Sequence, residues 1–439
     1  MKIHASVKKI VLTLMCSFFL MGLWGGFLFP GYSYASPGDE SDIGPGTGLA
    51  TGYGAYSTYR DTSDGDELKG VWISYLEWER LPKERKSFEK AVDQMFDNVK
   101  SWGMNAVFVH VRSHSDAMYP SDYYPWSKFA SGSAGKDPGY DPLEYMIKAA
   151  HARGLKFHAW LNPYRVTGYL MSWDEVSDSS PAKQWFGSGD EAGSRRVLKQ
   201  DGSWYYNPSF PEVRELVTKG VAEIVENYQV DGIHFDDYFY PELDDNNPSR
   251  YFDLPEYLAS GSKLSVDNWR RANVNQLVAE TYRTVKSINP SVVFGISPRG
   301  YVKELRSSQE LFTDIDTWMS MEGYIDYIMP QIYWGFETRT AAGNPAPYAF
   351  ENNLKTWIDL KKRGNAKLYL GLAAYRAGTD TKDYTGTSEW LRRDDILKRQ
   401  VEMGRASGQV SGYCFFSYSS FLEEAAEKEV KNLLPVLSQ

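Results

Sequence analysis

Cysteine is nearly missing from this 439-residue chain, which carries only Cys16 and Cys414. Cys16 sits inside an N-terminal apolar run with no small residues just before it, which argues against lipidation there. Removal of that run would leave Cys414 alone, and one cysteine cannot form an intramolecular disulfide, so core burial must hold the fold. Histidine is scarce too, with six copies and no tightly spaced metallohydrolase pair. A Gly-x-Ser-x-Gly elbow is lacking, which leaves a serine esterase without support. Positive charge is also short: 48 Lys and Arg stand against 57 Asp and Glu, a net charge of −9. That balance disfavours nucleic acid and anionic lipid as partners.

The apolar run itself is informative. Lys2, Lys8 and Lys9 precede or open it, Ile10 to Phe29 is almost unbroken, and Ser33-Tyr34-Ala35 offers small residues where a signal peptidase cuts. Residues 1–35 are therefore expected to be a cleaved export signal. A retained anchor is the other reading, because the run is long enough to span a bilayer. The expected product is secreted or envelope-associated, with no stable membrane insertion after cleavage. Residues 36–67 are rich in Gly, Ser, Thr, Asp and Pro, and read as a flexible linker that cannot bury enough apolar surface to order itself. Aromatics make up 15% of the chain and include 14 Trp, a surplus that suits platforms for flat ligand faces such as sugar rings.

From Lys69 onward one pattern repeats: a β-rich run, a polar loop, an amphipathic helix. The expected strands are 70–75, 106–112, 156–162, 232–238, 292–297, 327–334, 367–375 and 412–418. Phe88, Val92, Met95, Val99 and Trp102 recur at helical spacing before Gly103, and Asp141-Pro142-x-Glu144 opens the next helix. Later helices are expected from about Pro211, Val266, Asp316, Asn352, Asp394 and Phe421. Eight such units predict an α/β fold, a closed (β/α)8 TIM barrel forming a single domain over 68–439. An open doubly wound sheet is the other topology, but no Gly-rich phosphate loop follows the first strand. Long loops after strands 2, 3 and 4 mark the face where a ligand is gripped.

Residues two apart on a strand share a face, and here those faces turn polar or aromatic toward their C-terminal ends. The rows are Phe108, His110, Arg112; His158, Trp160, Asn162; His234, Asp236, Tyr238; Met329, Gln331, Tyr333; and Tyr369, Gly371, Ala373, Tyr375. Barrel enzymes place their chemistry at that end. Asp236 and Asp237 stand adjacent there, and two close carboxylates push one pKa up, which suits acid–base work. A structural alternative has Asp236 in an ion pair with Arg112. His110, His158, His234 and Asp236 could face one barrel interior as metal ligands, but the first strand supplies none, so neither metal nor cofactor is expected.

Certain stretches are more specific. They are Gly70-Val-Trp72, Asn105-Ala-Val-Phe-Val-His-Val-Arg112, Asp116-Ala-Met-Tyr-Pro120, Pro125-Trp-Ser127 and Gly139-Tyr-Asp-Pro-Leu143. They continue with His158-Ala-Trp-Leu-Asn-Pro-Tyr-Arg165, the Asp231–Pro241 segment, Gly295-Ile-Ser-Pro298 and Asp326–Trp334. With these motifs the chain resembles the bacterial glycosyl-hydrolase-like family ten, from Gly70 to the C-terminus. His110 and Ser113-His114 depart from it, standing where that family usually shows Gln and Pro-x-Gly. The resemblance implies a (β/α)8 barrel, glycosidase activity and a link to bacterial cell-wall glycan. The fourth strand also looks like those of chitinase-like and hexosaminidase-like barrels, although Tyr238 stands nearest the place of the chitinase-like Glu. In such barrels the substrate's own N-acetyl oxygen attacks, while one carboxylate orients the amide and another protonates the leaving oxygen.

The expectation is therefore a retaining glycosidase whose partner is an N-acetylated, peptidoglycan-like polysaccharide. Asp236 and Asp237 carry the chemistry. Substrate contacts are expected from Arg112, Asp116, Trp126, Trp160, Asn162, Tyr164, Arg165, His234, Tyr238, Gln331, Tyr333, Trp334 and Tyr375. Two rivals stand beside it: a two-carboxylate glycosidase on a non-acetylated polysaccharide, pairing Asp236 with Glu337 or Asp116, and a non-catalytic carbohydrate-binding barrel.

Overall fold

The computed structural model describes residues 67–168, 170–200, 202–243, 251–307, 311–340, 342–361, 364–380 and 388–439. The expected export signal and all of the expected linker except Glu67 lie outside them. Eight parallel strands close into a barrel. In chain order they are β1 (Leu68–Ile73), β2 (Ala106–Arg112), β3 (Lys156–Leu161), β4 (Gly232–Phe235), β5 (Val293–Ile296), β6 (Tyr327–Ile328), β7 (Lys367–Leu372) and β8 (Gly412–Phe415). Each pairs with its neighbours in sequence, and β1 closes the ring on β8 with Leu68 opposite Gly412. The longer helices between them include Arg85–Ser101, Pro142–His151, Pro211–Asn227, Val266–Ile288, Phe350–Lys361 and Ile396–Ala406. Among the described residues, no helix is long and apolar enough to cross a membrane.

Strand alternation sorts the apolar residues into two cores. Val71, Ile73, Val107, Val109, Phe157, Ala159, Ile233 and Phe235 face outward and pack with the helices. Trp72, Phe108, Trp160, Tyr327, Met329, Tyr369 and Cys414 fill the barrel. Such large rings need space opposite them, and glycine supplies it. A Cβ on Gly295 would lie 2.3 Å from the Tyr327 ring, and one on Gly371 2.8 Å from Trp72. These glycines are there for packing rather than for turns.

Several element ends differ from the sequence expectation. Tyr75 opens a short helix, Tyr75–Arg80, capped by Ser74 and Glu77, instead of ending β1. β4 stops at Phe235, so Asp236, Asp237 and Tyr238 stand just past the strand. β6 is cut to two residues because Pro330, with no N–H, interrupts the ladder; isolated bridges from Gln331 to Arg299 and to Gly371 carry on the pairing. Phe421 sits in a 3₁₀ turn, and the last helix begins at Glu427. The loop after β3 holds an antiparallel hairpin, Val197–Gln200 with Ser203–Tyr206, bridged to Arg165 through Tyr205.

Glu67, assigned to the linker from sequence, is instead part of the barrel. Its carboxylate takes both Nε and Nη2 of Arg405, at 2.7 and 2.6 Å, and its carbonyl accepts from Asn105. The pair is about a quarter exposed, so screening keeps its contribution small. Glu67→Gln should cost about 1 kcal/mol, read as a slightly lower Tm with unchanged turnover. A loss of several kcal/mol would mean that the clamp carries far more of the barrel closure.

Candidate active site

At the mouth, Asp236 is 3% exposed and Asp237 6% exposed. Oδ2 of Asp236 accepts from Trp160 Nε1 and Asn162 Nδ2, both at 3.1 Å. Its Oδ1 has one longer contact, from the Tyr238 backbone N–H at 3.4 Å. Trp160 and Asn162 come from the end of β3 because β3 and β4 pair in register, with Trp160 opposite His234. Burial pushes the Asp236 carboxyl up to about 7; nearby Arg165 opposes this, and Asp237 adds to it. Burial raises Asp237 as well, but Arg299, with Nε 3.6 Å from Oδ2, and Gln331 both favour its charged form. The pair is thus unequally partnered: burial raises both carboxyls, while Arg299 and Gln331 favour charge at Asp237.

Around the carboxyls the walls are aromatic and cationic. Arg165 lies 3.8 Å from the Tyr238 ring centre and 6.0 Å from that of Tyr75, so its charge is held by two rings near the acids. Tyr333 meets Tyr375 edge-on at 5.8 Å, and Phe416 packs against both. Gln331 donates to the Ser297 carbonyl at 3.0 Å, which fixes its amide beside Asp237. Trp334 packs against Tyr348 on the loop after β6, and half-buried Trp126 packs on the outer core.

Not every expected residue reaches this mouth. A register shift between His110 and Arg112 ends β2 and turns Arg112 away from the barrel axis. Its guanidinium lies 4.7 Å from the Tyr124 ring centre, and Tyr124 in turn donates to Leu216 on helix Pro211–Asn227. The ion pair of Arg112 with Asp236 is therefore replaced by Arg165 beside Asp236. Asp116 lies near Arg112, and burial lifts its carboxyl to about 6. Tyr164 is wholly buried, and its neighbouring charges are Arg214 and Glu280, on the surrounding helices. Asn162 spends its amide within the protein, donating to Asp236 and accepting from the Arg165 backbone at 3.0 Å. His234 lies one layer below the mouth, between Trp72 Nε1 at 3.2 Å and the Tyr327 hydroxyl at 2.9 Å. Glu337, a rival acid, pairs with Arg392 at 2.5 Å.

Sequence reasoning missed Arg299 and gave Tyr75 no role. The signal for Arg299 was available, since Ser297-Pro298-Arg299 leaves the C-terminal end of β5. Tyr75 falls within the expected first strand, 70–75.

The interior histidines are engaged with rings. His158 stacks on Phe108 at 4.3 Å, His110 on Trp160 at 3.3 Å. Among the described residues, no three of His, Cys, Asp and Glu gather as a metal-binding group. Dialysis against a strong chelator should leave turnover unchanged, measured before and after metals are restored. Loss on chelation with recovery in zinc would shift the chemistry to a metallohydrolase.

Comparison with known proteins agrees with the barrel fold. The family model "Glycosyl hydrolase-like 10" matches residues 67–386. The chain is 35% identical over 366 residues to "Glycosyl hydrolase YngK" of Bacillus subtilis, covering 78% of this chain and 67% of that protein. It is 33% identical over 387 residues to "Glycosyl hydrolase DigH" of Escherichia coli, covering 80% and 82%. Among solved structures, the PgaB (BpsB) glycoside hydrolase domain of Bordetella bronchiseptica shares the fold, with a TM-score of 0.56, 14% identity, and 84% and 99% of the two chains covered. The β-amylase catalytic domain of Paenibacillus polymyxa does so at 0.51, with 11% identity over 85% and 99%. A closed barrel with an asymmetric carboxyl pair at its mouth, joined to these relatives, makes the chain a glycoside hydrolase that belongs to the glycosyl hydrolase-like 10 family.

Proposed function

We propose that this glycoside hydrolase is exported and cleaves N-acetylated cell-wall glycan, with peptidoglycan strands as the substrate class. The observation that carries the reading is the unequal pair. Asp236 keeps a proton near neutral pH and is the acid for the leaving oxygen, while Asp237, beside Arg299 and Gln331, is the carboxylate that orients the N-acetyl amide. The acetamido oxygen then attacks the anomeric carbon as the glycosidic bond breaks, and water opens the cyclic intermediate with retention. Trp160, Tyr238, Tyr333 and Tyr375 offer ring faces, and Arg165 offers donors to the sugar. The family resemblance and the surplus of aromatic residues support the choice of a wall glycan.

Incubation of the protein with purified glycan strands, with and without stem peptides, followed by mass analysis, tests this. Oligosaccharides ending in a reducing N-acetylated sugar are expected. De-N-acetylated strands should resist cleavage, because they lack the attacking oxygen. Equal cleavage of acetylated and de-acetylated strands would remove substrate assistance and favour the two-carboxylate rival.

A further inference from the structure

His110 on β2 is buried, and its ring lies flat on Trp160 with an interplanar angle of 18°. Its Nδ1 accepts from the backbone N–H of Tyr75 at 3.2 Å, where β1 gives way to the helix. A nitrogen that accepts an N–H carries a lone pair, so in the neutral ring the proton sits on Nε2. The neutral ring is favoured here: burial, Arg165, His114 and His234 all hold its pKa below the usual histidine range. Nε2 is shut off from solvent and makes no hydrogen bond among the described residues, while Oδ2 of Asp236 stands 4.0 Å away.

That oxygen already accepts from Trp160 and Asn162. An oxygen facing N–H donors on this side has little room for a proton of its own, so the carboxyl proton belongs on Oδ1. The distance from Nε2 to Oδ2 exceeds hydrogen-bond length by about 1 Å. Catalytic hydrogen bonds in unliganded enzymes are often long and tighten when substrate is bound.

We propose that His110 is a positioning residue: fixed as the Nε2–H tautomer by the Tyr75 amide, it aims a third donor at Oδ2 of Asp236 and leaves Oδ1 to deliver the proton to the glycosidic oxygen. This rests on the reading of Asp236 as the acid. Glycan engagement closes the gap on the imidazole side, the Trp160 bond to Oδ2 being already made. Among the described residues, the charged and titratable groups facing Asp236 are Asp237, Arg165, Tyr238 and His110. Of these, His110 alone acts here through its tautomer.

Two measurements test it. Nitrogen-15 spectra of histidine-labelled full-length protein, with His110→Gln to assign the signal, should show a neutral Nε2–H ring that does not titrate from about pH 5 to 8. An Nδ1–H tautomer, or titration in that range, overturns the proposal without any substrate. The second is turnover of purified glycan strands by His110→Phe, His110→Gln and Asp236→Asn, with Tm recorded for each. His110→Phe keeps a flat ring on Trp160 but has no donor. It should lower kcat about tenfold with little change in KM, the effect of one supporting hydrogen bond. It should also move the alkaline limb of the kcat profile upward, because ionised Asp236 loses a donor. His110→Gln, whose amide reaches the same place, should recover both. Unchanged kcat and limb in a folded His110→Phe would reduce His110 to packing. If His110→Phe does not fold, His110→Gln decides: near-parental turnover supports the proposal, and a folded variant a hundredfold slower sinks it. Should Asp236→Asn itself keep turnover, the reading of Asp236 fails instead, so the two failures are told apart.

Discussion

Asp236→Asn should lower kcat by a hundredfold or more, roughly the scale of a lost general acid, while binding of glycan changes far less. Asparagine nearly matches aspartate in volume, so the rings and Arg165 that grip the sugar stay in place. Asp237→Asn should cost a similar factor, and more on acetylated than on other glycans, since its carboxylate is assigned to the amide. The parent should show an alkaline limb near pH 7, where Asp236 gives up the proton it must donate. Stability carries an independent signature. The Asp236 carboxyl is raised from 3.8 to about 7, so between those values the folded chain binds a proton that the unfolded chain has released. Stability therefore falls as pH rises across that window. Asp236→Asn, neutral throughout, should flatten that slope and be the more stable protein above pH 7. If both variants keep near-normal turnover, the acids lie elsewhere and the assignment at the end of β4 is wrong.

The barrel was legible because a periodic signal recurs eight times, each time bounded by a cap, a glycine or a proline. β2 shows why: Ala106-Val-Phe-Val-His-Val-Arg112 is a run that only a strand buried on both faces requires, and its bounds came out as read. Errors gathered at the C-terminal ends of strands. There, simple alternation carries Arg112 into the mouth, but the register shift after His110 sends it behind the wall. Sequence does not announce a bulge, because no residue type is required at one. Tyr164 and Arg165 make the same point from the other side, since a loop places neighbours in opposite directions: one under the helices, the other over Tyr238. The asymmetry of the Asp pair depended on Arg299, which arrives from β5, some 60 residues later in the chain. No local pattern can supply a contact that only barrel closure creates.

A second large effect is expected well away from the acids, at Asp253 and Arg270. Both are wholly buried, and the guanidinium meets the carboxylate in two parallel bonds, Nε to Oδ2 at 2.8 Å and Nη2 to Oδ1 at 2.6 Å. Arg270 belongs to helix Val266–Ile288, and Asp253 precedes the short helix Leu254–Ser260 in the excursion that follows the Asp pair. Phe252 and Phe312 flank the guanidinium at 5.8 and 5.3 Å, and Tyr240 packs on both rings. The pair thus pins that excursion to the barrel's helical layer. Removing one partner strands a buried charge, so Asp253→Asn or Arg270→Met should destabilise the fold by about 3–5 kcal/mol in chemical denaturation. The double change Asp253→Leu with Arg270→Met should recover most of this, because the penalty belongs to the unpaired ion rather than to the missing bond. Turnover of the singles, measured where they remain folded, should fall much less than in Asp236→Asn. The acid's donors come from β3 and its opposing cation from Arg165, none of them on this excursion. Singles that lose under 1 kcal/mol would show that water reaches the pair, and a double change no better than the singles would show that the ion pair specifies the excursion's conformation.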